Sequence, residues 1–154
     1  MRPFILERST VVPYSMERVF DFFSRAENLE SLTPPWLSFR ILTSRPIHMC
    51  EGALVDYRLS LRGLPLKWRS EITVWDPPYR FVDEQRRGPY RMWVHEHRFE
   101  EAEGGTRVVD HVIYAVLGGS LVRRLFVLPD LNRIFDYRQE RLPALLEERL
   151  LAAA

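Results

Sequence analysis

Apolar residues recur along this chain with two periods, and the switch between them marks out its elements. Residues 4–12 (FILERSTVV) are rich in β-branched and aromatic types and run into Pro13, which predicts a first strand and its stop. Ser15 stands at an N-cap position ahead of Val19, Phe20, Phe22 and Phe23, so a short amphipathic helix follows. A second short helix is predicted over Glu27–Leu32, ended by Thr33 and Pro34-Pro35. From Trp36 the spacing becomes two. Leu37 to Thr43, Ala53 to Leu61, Leu66 to Trp75, Tyr79 to Arg86, Met92 to Glu101 and Thr106 to Val116 alternate or carry strand formers. Gly52, Gly63-Leu64-Pro65, Pro77-Pro78, Gly88-Pro89 and Gly104-Gly105 punctuate them, and turns this short join antiparallel neighbours. Past Gly118-Gly119 the helical period returns, with Leu131, Ile134, Phe135, Leu142, Leu145 and Leu146 on one face. Pro129 suits a first turn, whereas Pro143 lies inside the pattern and predicts a kink or a break. The expected order is β-α-α-β6-α: an α+β fold with a seven-stranded antiparallel sheet and its helices gathered on one face. No repeat or linker divides residues 1–154, so one domain is predicted.

The covered face must be buried, and alternation identifies it. Trp93, His95, His97 and Phe99 share one side of their strand, while Glu96, Arg98 and Glu100 take the other. A type I′ turn at Gly104-Gly105 predicts Phe99 opposite Asp110, His97 opposite Val112 and His95 opposite Tyr114. Counting across Arg87–Tyr90 sets Asp83 beside His95, Phe81 beside His97 and Gln85 beside Trp93; Tyr57, Val55, Trp68, Ser70 and Ile72 continue the face. A face that only packs on a helix is mostly aliphatic, because a buried polar group without a partner costs about 1–3 kcal/mol. Here Tyr57, Asp83, Gln85, His95, His97, Asp110 and Tyr114 stand among Trp68, Trp93 and Phe99. Aromatic walls with a few convergent polar groups suit a small-molecule cavity, and these residues are the candidate ligand-binding set.

Charge narrows the partners. With 22 basic and 21 acidic residues interspersed, the net charge of +1 offers no field for nucleic acid or an anionic membrane. The arginines at 123, 124, 133, 138, 141 and 149 alternate with acids and read as a solvated helix face. The lone Cys50 permits no internal disulfide and no cysteine-built metal site, which suits a reducing compartment. Neither a signal-peptide core nor an apolar run near the roughly 18 residues needed to span a bilayer is present. The expectations are a cytoplasmic protein, monomer or homodimer, without nucleic-acid partner or stable membrane insertion. Trp36, beside Pro34-Pro35, is expected to plug the core.

His95 and His97 form an H-x-H pair that with Asp83 or Asp110 presents three ligands of the kind zinc or iron takes. Without a second ligand cluster the pair is weak ground for a metal, and neither metal nor cofactor is predicted. The same groups suit acid/base work: a carboxylate at Asp83 or Asp110 orienting His95 near a bound carbonyl, as aldol cyclisation or dehydration needs.

The element order, Pro13 followed by Val19-Phe20, Asn28-Leu29 ahead of Thr33-Pro34-Pro35-Trp36, and the run FVDEQRRGPYRMWVHEHRFE together resemble the SRPBCC or START-like (Bet v 1-like) superfamily. Within it the likeness is to bacterial cyclase/dehydrase-like and coenzyme Q-binding-like proteins, over nearly the whole chain. The resemblance implies a helix-grip fold: a curved sheet wrapped on a long C-terminal helix, enclosing a cavity. It implies no catalytic residue, since fold does not give activity. The leading expectation is binding or carriage of a hydrophobic small molecule such as a lipid, quinone or polyketide-like ring. The alternatives are a cofactor-free cyclase or dehydratase using His95 with Asp83 or Asp110, and an interaction module with a filled core.

Overall fold

A computed structural model describes residues 2–152. Strand β1 (Phe4–Val12) stops at Pro13, and the Ser15 hydroxyl accepts from the Arg18 amide to cap helix α1 (Met16–Phe23). Helix α2 (Ala26–Leu32) and a 3₁₀ turn over Pro35–Leu37 lead to β2 (Arg40–Ile41). Strands β3 (Leu54–Leu61), β4 (Leu64–Asp76), β5 (Arg80–Arg87), β6 (Met92–Ala102) and β7 (Gly105–Ala115) follow as a meander. The chain then enters α3 (Gly119–Val122), a π-helical turn over Arg123–Val127, and α4 (Leu128–Ala152). The antiparallel sheet has the order β1-β7-β6-β5-β4-β3-β2, and it curves around α4 as a helix-grip fold requires.

Four expectations need correction. The strand foreseen over Leu37–Thr43 shrinks to Arg40–Ile41, because the proline pair starts a 3₁₀ turn and Ser38 turns the chain with φ 48°. The β6–β7 register lies two residues from the one counted: Phe99 faces Val108, His97 faces Asp110 and His95 faces Val112. The turn residues are Glu103 and Gly104, while Gly105 already pairs with Ala102. Of the kink or break expected at Pro143, the break is absent: α4 continues through it. Trp36 is 46% exposed, under the Arg133 guanidinium and edge-on to Tyr137, so it plugs nothing. The β5–β6 pairing, Asp83 with His95 and Phe81 with His97, is as counted.

Two apolar clusters fill the space under α4. Leu142, Leu145 and Leu146 pack with Val12, Phe20, Phe81 and Phe99, whereas Leu131 and Phe135 pack with Tyr57, Trp68, Trp93 and Tyr114. Each fully buried leucine contributes roughly 1.5–3 kcal/mol, which fixes α4 at both ends. A polar layer separates the clusters. It contributes His95 and His97 between Trp93 and Phe99 on β6, Asp110 between Val112 and Val108 on β7, and Arg138 between Phe135 and Leu142 on α4.

Candidate functional site

The polar layer is built by strand alternation: residues two apart on one face, backed by partners from the next strand. The His95 and His97 rings stack with centroids 3.8 Å apart. Each bonds diagonally, His97 Nε2 to Asp83 Oδ2 at 2.6 Å and His95 Nε2 to Asp110 Oδ1 at 2.8 Å. Arg138 reaches in from α4, its Nη2 lying 3.3 Å from Asp110 Oδ1 and 3.5 Å from His97 Nδ1.

Protonation follows from these contacts. Burial pushes the Asp110 carboxyl up, but the Arg138 guanidinium and the His95 hydrogen bond outweigh it and hold the group below the usual carboxylate range. Burial acts likewise on Asp83, where the His97 hydrogen bond and the neighbouring His95 and Arg138 win and lower it. Ionised carboxylates only accept, so both imidazole Nε2 atoms must donate. Burial, with His95 and Arg138 close by, lowers the His97 pKa to about 4. His97 is therefore neutral near pH 7, and its Nδ1 lone pair accepts from Arg138. His95 Nδ1 has no hydrogen-bond partner among the described residues and lies 3.9 Å from Asp83 Oδ2. When His95 is neutral this nitrogen is a free base, held in its tautomer by Asp110.

The layer continues onto β4 and β3. Tyr57 Oη and Ser70 Oγ lie 2.8 Å apart, and Trp68 Nε1 donates to Ser70 Oγ at 3.1 Å. The three groups carry three donor protons and share two hydrogen bonds, so one hydroxyl proton finds no acceptor among them. Burial raises the Tyr57 pKa, with the Asp83 charge adding to it, so the phenol keeps its proton.

A cavity of about 180 Å³ opens between the sheet, α2 and α4. Tyr57, Trp68, Asp83, Trp93, His95 and His97 line it, as the candidate set placed them on the inner face. The other candidates stand off the wall. Gln85 ties the β5–β6 loop, its Nε2 donating to the Tyr90 carbonyl and its Oε1 accepting from the Tyr90 amide. Phe99 packs on Phe20 and Phe23 in the neighbouring cluster. Asp110 lies behind His95, and the Tyr114 hydroxyl accepts from Arg123 at 3.1 Å.

Arg138 was missed, and its assignment to a solvated face is wrong: the residue is 8% exposed and lines the cavity. Its signal was the spacing Leu131, Phe135, Arg138, Leu142, Leu145, which puts the guanidinium on the apolar stripe. Tyr90, Phe39 and Met49 also line the cavity from loops, where no periodicity marks them. Asp83, His95 and His97 offer ligand atoms within 4.8 Å of one another, and Asp110 backs His95 as an outer carboxylate backs a metal-bound histidine. The guanidinium at His97 opposes a further cation there.

Comparison with known proteins identifies the frame. A structure from Mycobacterium smegmatis matches over 94% of this chain and 92% of its own, with TM-score 0.70 and 17% identity. The major latex-like protein 151 of Panax ginseng matches over 92% and 96%, with TM-score 0.69 and 13% identity. A Thermus thermophilus protein is 25% identical over 99% of both chains, with TM-score 0.58. No curated protein matches the chain. The model of the family described as polyketide cyclase/dehydrase and lipid transport matches residues 12–142. The chain therefore belongs to that family.

Proposed function

We propose that residues 1–154 act as one cytoplasmic domain that binds a small hydrophobic molecule in the cavity under α4. The observation behind this reading is the cavity itself: about 180 Å³ walled by Trp68, Trp93 and Tyr57, with a charged layer along one side. Cavities that merely escape filling are costly, since cores pack to crystal-like density and each void destabilises. A dry cavity of about 150 Å³ accepts benzene, so the ligand held in this conformation is one ring with a short substituent rather than a long acyl chain. The cavity counts against the interaction-module reading, which calls for a filled core. Native mass spectrometry of the protein from its own host, followed by extraction, should find a stoichiometric apolar ligand. An empty protein that also ignores every small aromatic offered to it would overturn the proposal.

One observation favours a second reading, an acid/base enzyme of the cyclase or dehydratase kind. His95 Nδ1 has no hydrogen-bond partner among the described residues and lies at the cavity wall, and Asp110 holds the opposite nitrogen, which is the arrangement of an oriented general base. His95→Asn should keep ligand affinity within about threefold under the carrier reading. Under the enzyme reading it should abolish turnover and retain binding.

A further inference from the structure

The polar layer holds two ionised carboxylates and one guanidinium, and the carboxylate that the guanidinium does not pair faces the cavity. Asp110 has its own counter-ion in Arg138, 3.3 Å away, and the same guanidinium Nη2 is taken up by His97 Nδ1 at 3.5 Å. Asp83 has no arginine within salt-bridge distance among the described residues. Its one hydrogen bond is from His97 Nε2 to Oδ2, and Oδ1 has no protein partner among the described residues. Asp83 lines the cavity, with His95 Nδ1 3.9 Å from its Oδ2. The unsatisfied carboxylate oxygen on this side is thus an acceptor.

Several donors without a hydrogen-bond partner among the described residues line the cavity, Trp93 Nε1 and the Tyr90 hydroxyl included, and one of them, a Tyr57 or Ser70 hydroxyl, is on the adjoining strands. Ser70 pairs with Gln85 and Ile72 with Asp83, which makes Ser70 and Asp83 diagonal neighbours on the inner face. The hydroxyl proton that Tyr57, Ser70 and Trp68 leave unshared is therefore on the same inner face as Asp83, about one diagonal position away.

We propose that the cavity selects ligands whose head is uncharged and donates a hydrogen bond, a phenol, enol or similar hydroxyl, and rejects carboxylates of the same size. The donor bonds Asp83 Oδ1, and the head's oxygen accepts the proton left by Tyr57 and Ser70. A carboxylate in that position would set two like charges together in a site shielded from water, where such juxtaposition costs several kcal/mol. This rests on the proposed ligand-binding function and adds the head-group chemistry to it.

The test uses three probes of nearly equal size, 4-ethylphenol, benzoate and ethylbenzene, near neutral pH. Binding is read by calorimetry and by quenching of Trp68 and Trp93, which line the cavity. The phenol should bind at least tenfold more tightly than the benzoate, and more tightly than ethylbenzene. In Asp83→Asn the phenol-to-benzoate ratio should collapse, and in Tyr57→Phe the advantage of phenol over ethylbenzene should shrink. Should Asp83→Asn not fold, the wild-type ratio alone decides. Binding of benzoate as tight as that of phenol overturns the selectivity while leaving the ligand-binding function standing. Failure of all three probes to bind overturns that function itself.

Discussion

Among single residues, His97 and Arg138 carry the largest energetic consequences. His97 is neutral in the fold with a pKa of about 4, against 6.5 for a free imidazole. Between those values the unfolded chain binds the extra proton, so stability is fully present above pH 6.5 and is lost as the pH falls toward 4, by about 3 kcal/mol. Asp83 and Asp110, whose carboxyls are lowered, add their own loss only below the ordinary carboxylate range. Urea denaturation at pH 7 and pH 4.5 should show this, and His97→Asn should flatten the difference. Arg138→Met removes the cation facing Asp110 and should cost about 3 kcal/mol by the same measurement, since it leaves a buried carboxylate unpaired. Such residues are the hardest to read in a sequence. Arg138 has the spacing of a core position and the chemistry of a surface one, and only the partner on β7 decides between them.

At the level of elements, the hairpin joining β6 and β7 shows what alternation encodes and what it leaves open. The inner-face assignment of His95, His97, Asp110 and Val112 survives a register error of two residues, because side chains alternate with period two. Register itself depends on which residues turn, and Gly104-Gly105 permits two choices. The fold chooses Glu103-Gly104, because Gly105 must lie where a Cβ would come 1.9 Å from the Val12 carbonyl oxygen. That constraint comes from β1, far away in sequence, and is invisible to local turn rules. Gly105→Ala should therefore prevent normal folding or lower the Tm by well over 10 °C. Gly104→Ala, at φ 85° with open space around it, should cost only about 1 kcal/mol, about 2–4 °C in a domain of this size. Differential scanning calorimetry separates the two. Similarly, Pro34-Pro35 announced an interruption, but the spacing alone did not show that β2 would be only two residues long.

For the molecule as a whole, fold class, the antiparallel meander from β2 to β7 and the polar inner face were legible because they follow from period and turn length summed over many residues, whereas the pairing of β1 with β7 was not. The division of that face into cavity wall and packed core was not, since Phe99 and Trp93 alternate identically and differ only in what α1 and α4 lay over them. A ligand present at a hundred times its Kd should raise stability by about 2.7 kcal/mol, measurable as a Tm shift that grows with ligand concentration. The cavity also makes volume a thermodynamic handle. Eliminating a dry cavity of about 180 Å³ on unfolding adds to the volume decrease, which scales with the void lost. The empty protein would then be the softer form under hydrostatic pressure, unfolding at pressures that its ligand-filled form withstands.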